Sequence, residues 1–144
     1  MLFICLCGIP ASGKSTFSKT NLSFENVKLY ECDEFFNNIK NKKTNEIIHI
    51  FHQHICNDLA VGNNVIVDGT YTIKRTRLEL LDAIKDIDCK KIIIVLTVAL
   101  EECLLRNQNR DKKIPEYDIN DMHKNFQFPE LSEGWDEIIE IPNN

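Results

Sequence analysis

The sequence predicts an α/β fold built on a parallel sheet, and three observations lead there. The stretch Gly8-Ile9-Pro10-Ala11-Ser12-Gly13-Lys14-Ser15-Thr16 spells GxxxxGK[ST] and follows directly on the apolar run Leu2 to Cys7. Continuous β-branched runs, Val65-Ile66-Val67 and Ile92-Ile93-Ile94-Val95-Leu96, read as strands buried on both faces. Helical patterns lie between these runs, and strand alternating with helix signals a parallel sheet. With 144 residues the chain fits one compact domain over 1–144, large enough to bury a core without metal or disulfide support.

The first element is the apolar strand ahead of the glycines. It is too short for a signal peptide or a membrane span, and it leads straight into the loop, so it is expected to belong to the fold. The glycines let the backbone turn so that successive N–H groups face phosphate oxygens, and a helix near Ser15 to Leu22 adds the positive end of its dipole. Gly8, Pro10, Ala11, Ser12, Gly13, Lys14, Ser15 and Thr16 are therefore the expected nucleotide contacts. Lys14 would reach the β- and γ-phosphates, and the Ser15 hydroxyl would ligate Mg²⁺.

Further strands are expected at Val27 to Glu31, Asn64 to Asp68, Lys91 to Val98 and Glu137 to Ile141. The helices expected between them run near Thr44 to Val61, Thr72 to Asp86 and Leu100 to Asn109. Thr44 to Val61 places Ile47, Phe51, Ile55 and Leu59 on an apolar face, and Gly62 stands where a helix C-terminus favours glycine. His49, His52 and His54 sit in this helix, but only His49 and His52 share a face, which makes a poor metal set. After Arg110 comes the polar connection Asp111-Lys112-Lys113-Ile114-Pro115, suited to a lid over about 106–116. A short helix near Asp118 to Asn125 and an irregular stretch from Phe126 to Trp135 complete the order.

Composition narrows the class. The chain is 43% hydrophobic and 27% charged, as an ordinary globular protein is. The cysteines Cys5, Cys7, Cys32, Cys56, Cys89 and Cys103 form no CxxC pair and are expected to be buried free thiols, which suggests a reducing, cytoplasmic setting and no membrane. A net charge of −5 and a pI near 5.4 argue against a broad surface that coats nucleic acid. Local basic groups remain at Lys40, Lys42 and Lys43, at Lys74, Arg75 and Arg77, and at Lys112 and Lys113, each of which reads most simply as a solvated face.

Phosphoryl transfer needs more than a phosphate loop. Asp33, just beyond the second strand, is placed to accept a proton from an acceptor hydroxyl; its plain alternative is an N-cap for a following helix. Asp68 closes the run Val65-Ile66-Val67 and would hold Mg²⁺ through water or fix Ser15. Arg106 and Arg110 stand four apart before the lid and would project from one helix face toward a phosphoryl group in transfer; alternatively they are two exposed helix arginines.

Taken together, Gly8 to Thr16, Asp33, Val67-Asp68-Gly69-Thr70, Arg106-Asn107-Gln108-Asn109-Arg110 and Ile114-Pro115 resemble the kinase domain of 5′-hydroxyl polynucleotide kinases. The tail, Phe126-Gln127-Phe128-Pro129-Glu130-Leu131-Ser132-Glu133-Gly134-Trp135 and then Ile139-Glu140-Ile141-Pro142, resembles the end of that domain in animal polynucleotide kinase-phosphatases. This resemblance implies an adenylate-kinase-like sheet of five parallel strands in a P-loop NTPase fold, ATP and Mg²⁺, and phosphorylation of a 5′-OH end of DNA or RNA. It further implies Asp33 as general base, Lys14 and Ser15 as phosphate and metal contacts, and Arg106 and Arg110 as lid arginines. Asp33, Phe36, Asp68, Thr70 and Tyr71 would face the acceptor, and a separate phosphatase or ligase would complete end repair.

The chain departs from that pattern at two places. Phage members carry an arginine three residues after the base aspartate, where this chain has Phe36, and many members read Asp-Asn-Thr-Asn where it reads Asp68-Gly69-Thr70-Tyr71. Tyr71 would either stack on a base or pack as an ordinary aromatic. Two other functions stay open: a small-molecule or tRNA-linked kinase of the same superfamily, and a nucleotide-binding or toxin-like module that transfers nothing.

Overall fold

The computed structural model describes residues 1–143. Strand β1 (Leu2–Cys7) opens the chain and α1 (Lys14–Asn21) follows the glycine loop. Next come β2 (Val27–Glu31), α2 (Cys32–Asn38), α3 (Thr44–Ala60), β3 (Asn64–Asp68) and α4 (Lys74–Ala83). The chain continues through β4 (Lys90–Thr97), α5 (Leu100–Gln108), α6 (Glu116–Lys124), a 3-10 turn (Leu131–Glu133) and β5 (Glu137–Pro142).

The five strands form one parallel sheet in the order β2-β3-β1-β4-β5, with Cys5 of β1 opposite Val67 on one side and Ile93 on the other. Strand alternation sends neighbouring side chains to opposite faces. Phe3, Cys5, Cys7, Val65, Val67, Ile93 and Val95 meet the apolar stripe of α3 and α4, where Phe51, Ile55, Leu59 and Leu80 are buried, with Ile84 just past the end of α4. Ile4, Leu6, Ile66, Ile92, Ile94 and Leu96 point the other way and pack with Phe17 of α1 and with Ile139 and Ile141 of β5. Covered on both faces, the three central strands need the continuous apolar runs that they carry. Among the described residues, no helix is long and apolar enough to cross a membrane.

Several local expectations shift. Helix α2 has no counterpart in the sequence reading, and it carries Asp33 in its first turn, with Glu31 at the N-cap. The N-cap alternative for Asp33 therefore fails. Helix α4 is shorter at both ends than the expected Thr72 to Asp86. Helix α5 stops at Gln108, which leaves Arg110 beyond the helix rather than on one face with Arg106. Of the thiols, Cys5, Cys7, Cys89 and Cys103 are buried, whereas Cys32 and Cys56 are only half-buried.

Candidate active site

In this strand order the connection from β1 runs outward to β2, while the connection from β3 crosses to β4 on the other side. A crevice opens at the carboxyl ends of the strands where such connections diverge. Here it is a cavity of about 1000 Å³ that takes in the phosphate loop, Asp33, Asp68, Arg106 and Arg110.

The loop is held in a left-handed turn. Ala11 has φ 65° and Gly13 has φ 92°. An added Cβ at Gly13 would strike Asn143 Nδ2, which itself donates to the Ser12 carbonyl at 2.9 Å. Lys14 is buried, and its Nζ donates to the carbonyls of Gly8 at 3.0 Å and Ile9 at 3.1 Å. Burial pulls its pKa below the usual lysine value, and Asp68 offsets part of that shift. Its hydrogen-bond partners carry no charge, so this ammonium lies at the start of α1 ready for an anion. Ser15 Oγ donates to Asp68 Oδ2 at 2.5 Å, and a hydroxyl backed by a carboxylate suits a hard divalent cation. These residues fit a nucleotide triphosphate with Mg²⁺. Among the described residues, no group of three or more His, Cys, Asp or Glu is placed to hold a metal, so Ser15 and Asp68 would hold one only together with phosphate oxygens and water.

Arg106 lies at the end of α5, where its Nε donates to Glu102 Oε1 at 3.1 Å and its Nη2 donates to the Asn143 carbonyl at 2.7 Å. Arg110 is exposed and shares the cavity wall with Lys112 and Lys113. Asn107 holds the base of this connection: its amide group exchanges hydrogen bonds with Ile114 N and O at 3.0 and 2.7 Å.

Asp33 is exposed beside Glu34, and it lines the cavity together with Thr70 and Tyr71. Phe36 is half-buried and packs edge-on against Phe51. Tyr71 does not stand out as a stacking platform. It has φ 46°, its ring lies over Gly69, and its hydroxyl meets Cys32 Sγ at 3.7 Å. A Cβ at Gly69 would come within 2.6 Å of that ring and 2.9 Å of the Cys32 sulfur, so Gly69 and Tyr71 depart from the family pattern as a coupled pair. Burial pushes the Cys32 thiol up to about 12 and raises the Tyr71 phenol well above its ordinary value, so both are neutral beside Asp33.

Three contributors escaped the sequence reading. Arg77, whose basic neighbours Lys74 and Arg75 suggest a solvated face, is fully buried and paired with Glu133. Its spacing to Leu80, Leu81 and Ile84 puts it on the apolar face of α4, which was the available signal. Asn143 and Asn107 act through backbone contacts that only the folded chain brings together.

The family model described as AAA domain matches residues 3–129. The L-seryl-tRNA(Sec) kinase of Methanococcus maripaludis is 29% identical over 144 residues, covering 94% of this chain and 56% of that protein. The chain thus spans little more than half the length of this relative. Among solved structures, the Pnkp1/Rnl/Hen1 RNA repair complex contains a chain that superposes with a TM-score of 0.75 at 21% identity, covering 99% of this chain and 48% of its own. A gluconokinase from Sinorhizobium meliloti 1021 gives a TM-score of 0.67 at 15% identity, covering 99% and 82%. These structures share the fold, and their names span sugar and nucleic-acid chemistry. The family match over residues 3–129, which takes in the phosphate loop and the Ser15–Asp68 pair, marks this chain as a member of the AAA domain family.

Proposed function

We propose that the protein is an ATP-dependent kinase that phosphorylates a hydroxyl group seated against Asp33. The observation that carries this reading is the single cavity that holds Lys14, Ser15, Asp68, Asp33 and Arg106 together. Lys14 and the loop amides would bind the β- and γ-phosphates, which would give the buried ammonium a charged hydrogen-bond partner in addition to its neutral acceptors. Mg²⁺ bound at Ser15 would neutralise charge on those phosphates. Asp33 would take the proton as the acceptor oxygen bonds to the γ-phosphorus and the bond to the β–γ bridging oxygen breaks, releasing ADP. Arg106 and Arg110 would meet the charge that develops on the transferring group.

The acceptor half of the cavity is acidic. Glu31, Asp33, Glu34 and Glu79 line it, and the basic side chains Lys14, Arg106, Arg110, Lys112 and Lys113 belong to the loop and lid. This lining favours a small-molecule hydroxyl over a phosphate-bearing strand end; a tRNA-linked hydroxyl is supported instead by the 29% identity to the seryl-tRNA kinase. A polynucleotide 5′-OH is the second reading, favoured by the lid arginines and the Phe126 to Pro142 tail. Purified protein with labelled ATP should be offered 5′-OH DNA and RNA, nucleosides, sugars and charged tRNA. Transfer to none of them by folded, ATP-binding protein would sink the kinase reading and leave a nucleotide-binding module.

A further inference from the structure

Arg77 and Glu133 form an ion pair inside the core, with side chains 0% and 1% exposed. The pair is bidentate: Arg77 Nε and Nη2 donate to the two Glu133 oxygens at 2.8 and 3.0 Å. Glu133 also accepts from Trp135 Nε1 at 3.2 Å and from the Glu130 amide at 3.2 Å, so its carboxylate is fully engaged. One arginine nitrogen is left over, and its use is informative. Nη1 donates at 2.8 Å to the carbonyl of Tyr71, which lines the cavity together with Asp33.

That carbonyl belongs to a residue in the left-handed region, a conformation that an aromatic residue keeps only when its surroundings enforce it. Three other bonds fix the same segment. Cys7 Sγ donates to the Tyr71 carbonyl at 3.2 Å, the Gly8 amide donates to the Thr70 carbonyl at 3.0 Å, and the Gln127 amide donates to the Thr72 carbonyl at 2.9 Å. The Tyr71 hydroxyl then reaches Cys32, the residue before Asp33. A continuous chain of contacts therefore runs from the tail through the core to Tyr71 and Cys32 in the lining of the cavity.

We propose that Arg77 and Glu133 are positioning residues for phosphoryl transfer: they hold the 69–72 segment in its strained form and so set the acceptor against Asp33. A buried ion pair is a weak source of stability relative to apolar packing, and a fixed geometry at a site is one reason to keep it. The phosphate-facing part of the loop has its own supports in Lys14 and Asn143. Acceptor use rather than ATP binding should therefore depend on the pair. This inference rests on the reading of the cavity as an acceptor site.

The test compares Arg77→Lys with Leu59→Ala, a buried substitution in α3 that weakens the core away from the segment. Lysine keeps the charge, but it lacks the fork that serves Glu133 and Tyr71 at once. At matched global stability, amide exchange at Gly8 and Gln127 should be about tenfold faster in Arg77→Lys than in Leu59→Ala, as local opening predicts. Transfer to the acceptor found in the screen should fall about a hundredfold, as misplacement of reacting groups predicts, with the Kd for Mg·ATP nearly unchanged. Equal exchange in the two variants overturns the proposal, as does an ATP affinity that falls in step with transfer. If the wild type phosphorylates nothing, the kinase reading fails, and the exchange comparison still decides whether the pair holds the segment.

Discussion

Ser15 Oγ donates to Asp68 Oδ2, a hydrogen bond that ties the first turn of α1 to the end of β3 across the mouth of the cavity. The two residues are far apart in sequence but come together because β1, which leads through the loop into α1, lies beside β3 in the sheet. A metal held at Ser15 would have Asp68 as the group that orients its ligand. Asp68→Asn should weaken Mg²⁺ binding about 10- to 100-fold, as loss of an orienting partner does. Calorimetric titration with ATP in Mg²⁺ and in EDTA checks this, and an equal loss in EDTA would mean that Asp68 supports the loop rather than the metal.

Asp33 separates binding from chemistry. It is exposed on α2, lines the same cavity as Arg106, and makes no hydrogen bond to the phosphate loop among the described contacts. Asp33→Asn should lower transfer by about 10²- to 10⁴-fold, the usual weight of a general base, while ATP affinity stays close to that of the wild type. Lys14→Ala should damage both. Parallel loss of ATP binding in the two variants would contradict the roles given to them.

Gly13 offers a backbone test. Its φ of 92° is costly for any other residue, and an added methyl would collide with the Asn143 amide that braces Ser12. Gly13→Ala should cost roughly 1–3 kcal/mol from strain alone and abolish detectable nucleotide binding. Thermal melts with and without Mg·ATP measure both effects. Adding Asn143→Ala should return part of the stability and little of the binding, since the strain at φ remains.

The parts of this site that the sequence shows are those that act locally. Gly8 to Thr16 needs only its own backbone and the strand before it, and the β-branched runs need only burial on both faces, so motif and parallel sheet were open to reading, whereas the strand order was not. Asp33 was found by its place after β2, although the helix that carries it was not. That helix is short and lacks a side-chain cap or a long apolar period. Arg110 was misplaced because helix α5 ends two residues earlier, a boundary that no glycine or proline marks. Arg77 and Glu133 are 56 positions apart, and pairing between them depends on how the tail folds back over α4. Charge near other charges reads as surface, so the basic triplet Lys74, Arg75 and Arg77 concealed one core residue beside two exposed ones.

The buried pair also predicts how the protein responds to acid. Burial alone would raise the Glu133 pKa, but hydrogen bonds from Arg77 and Trp135 outweigh it, and the carboxyl titrates below its ordinary value. The unfolded chain, whose carboxyl is not depressed, therefore takes up this proton first as pH falls. The contribution to stability is complete above the ordinary carboxylate range and is lost as pH drops through the lowered folded value. Glu133→Gln leaves Arg77 buried without its counter-charge, which should cost roughly 3 kcal/mol at neutral pH. The same variant should lose less stability than the wild type on acidification below the ordinary carboxylate range. Urea melts across that range measure both quantities, and parallel acid slopes in the two proteins would show that the fold does not lower the Glu133 pKa.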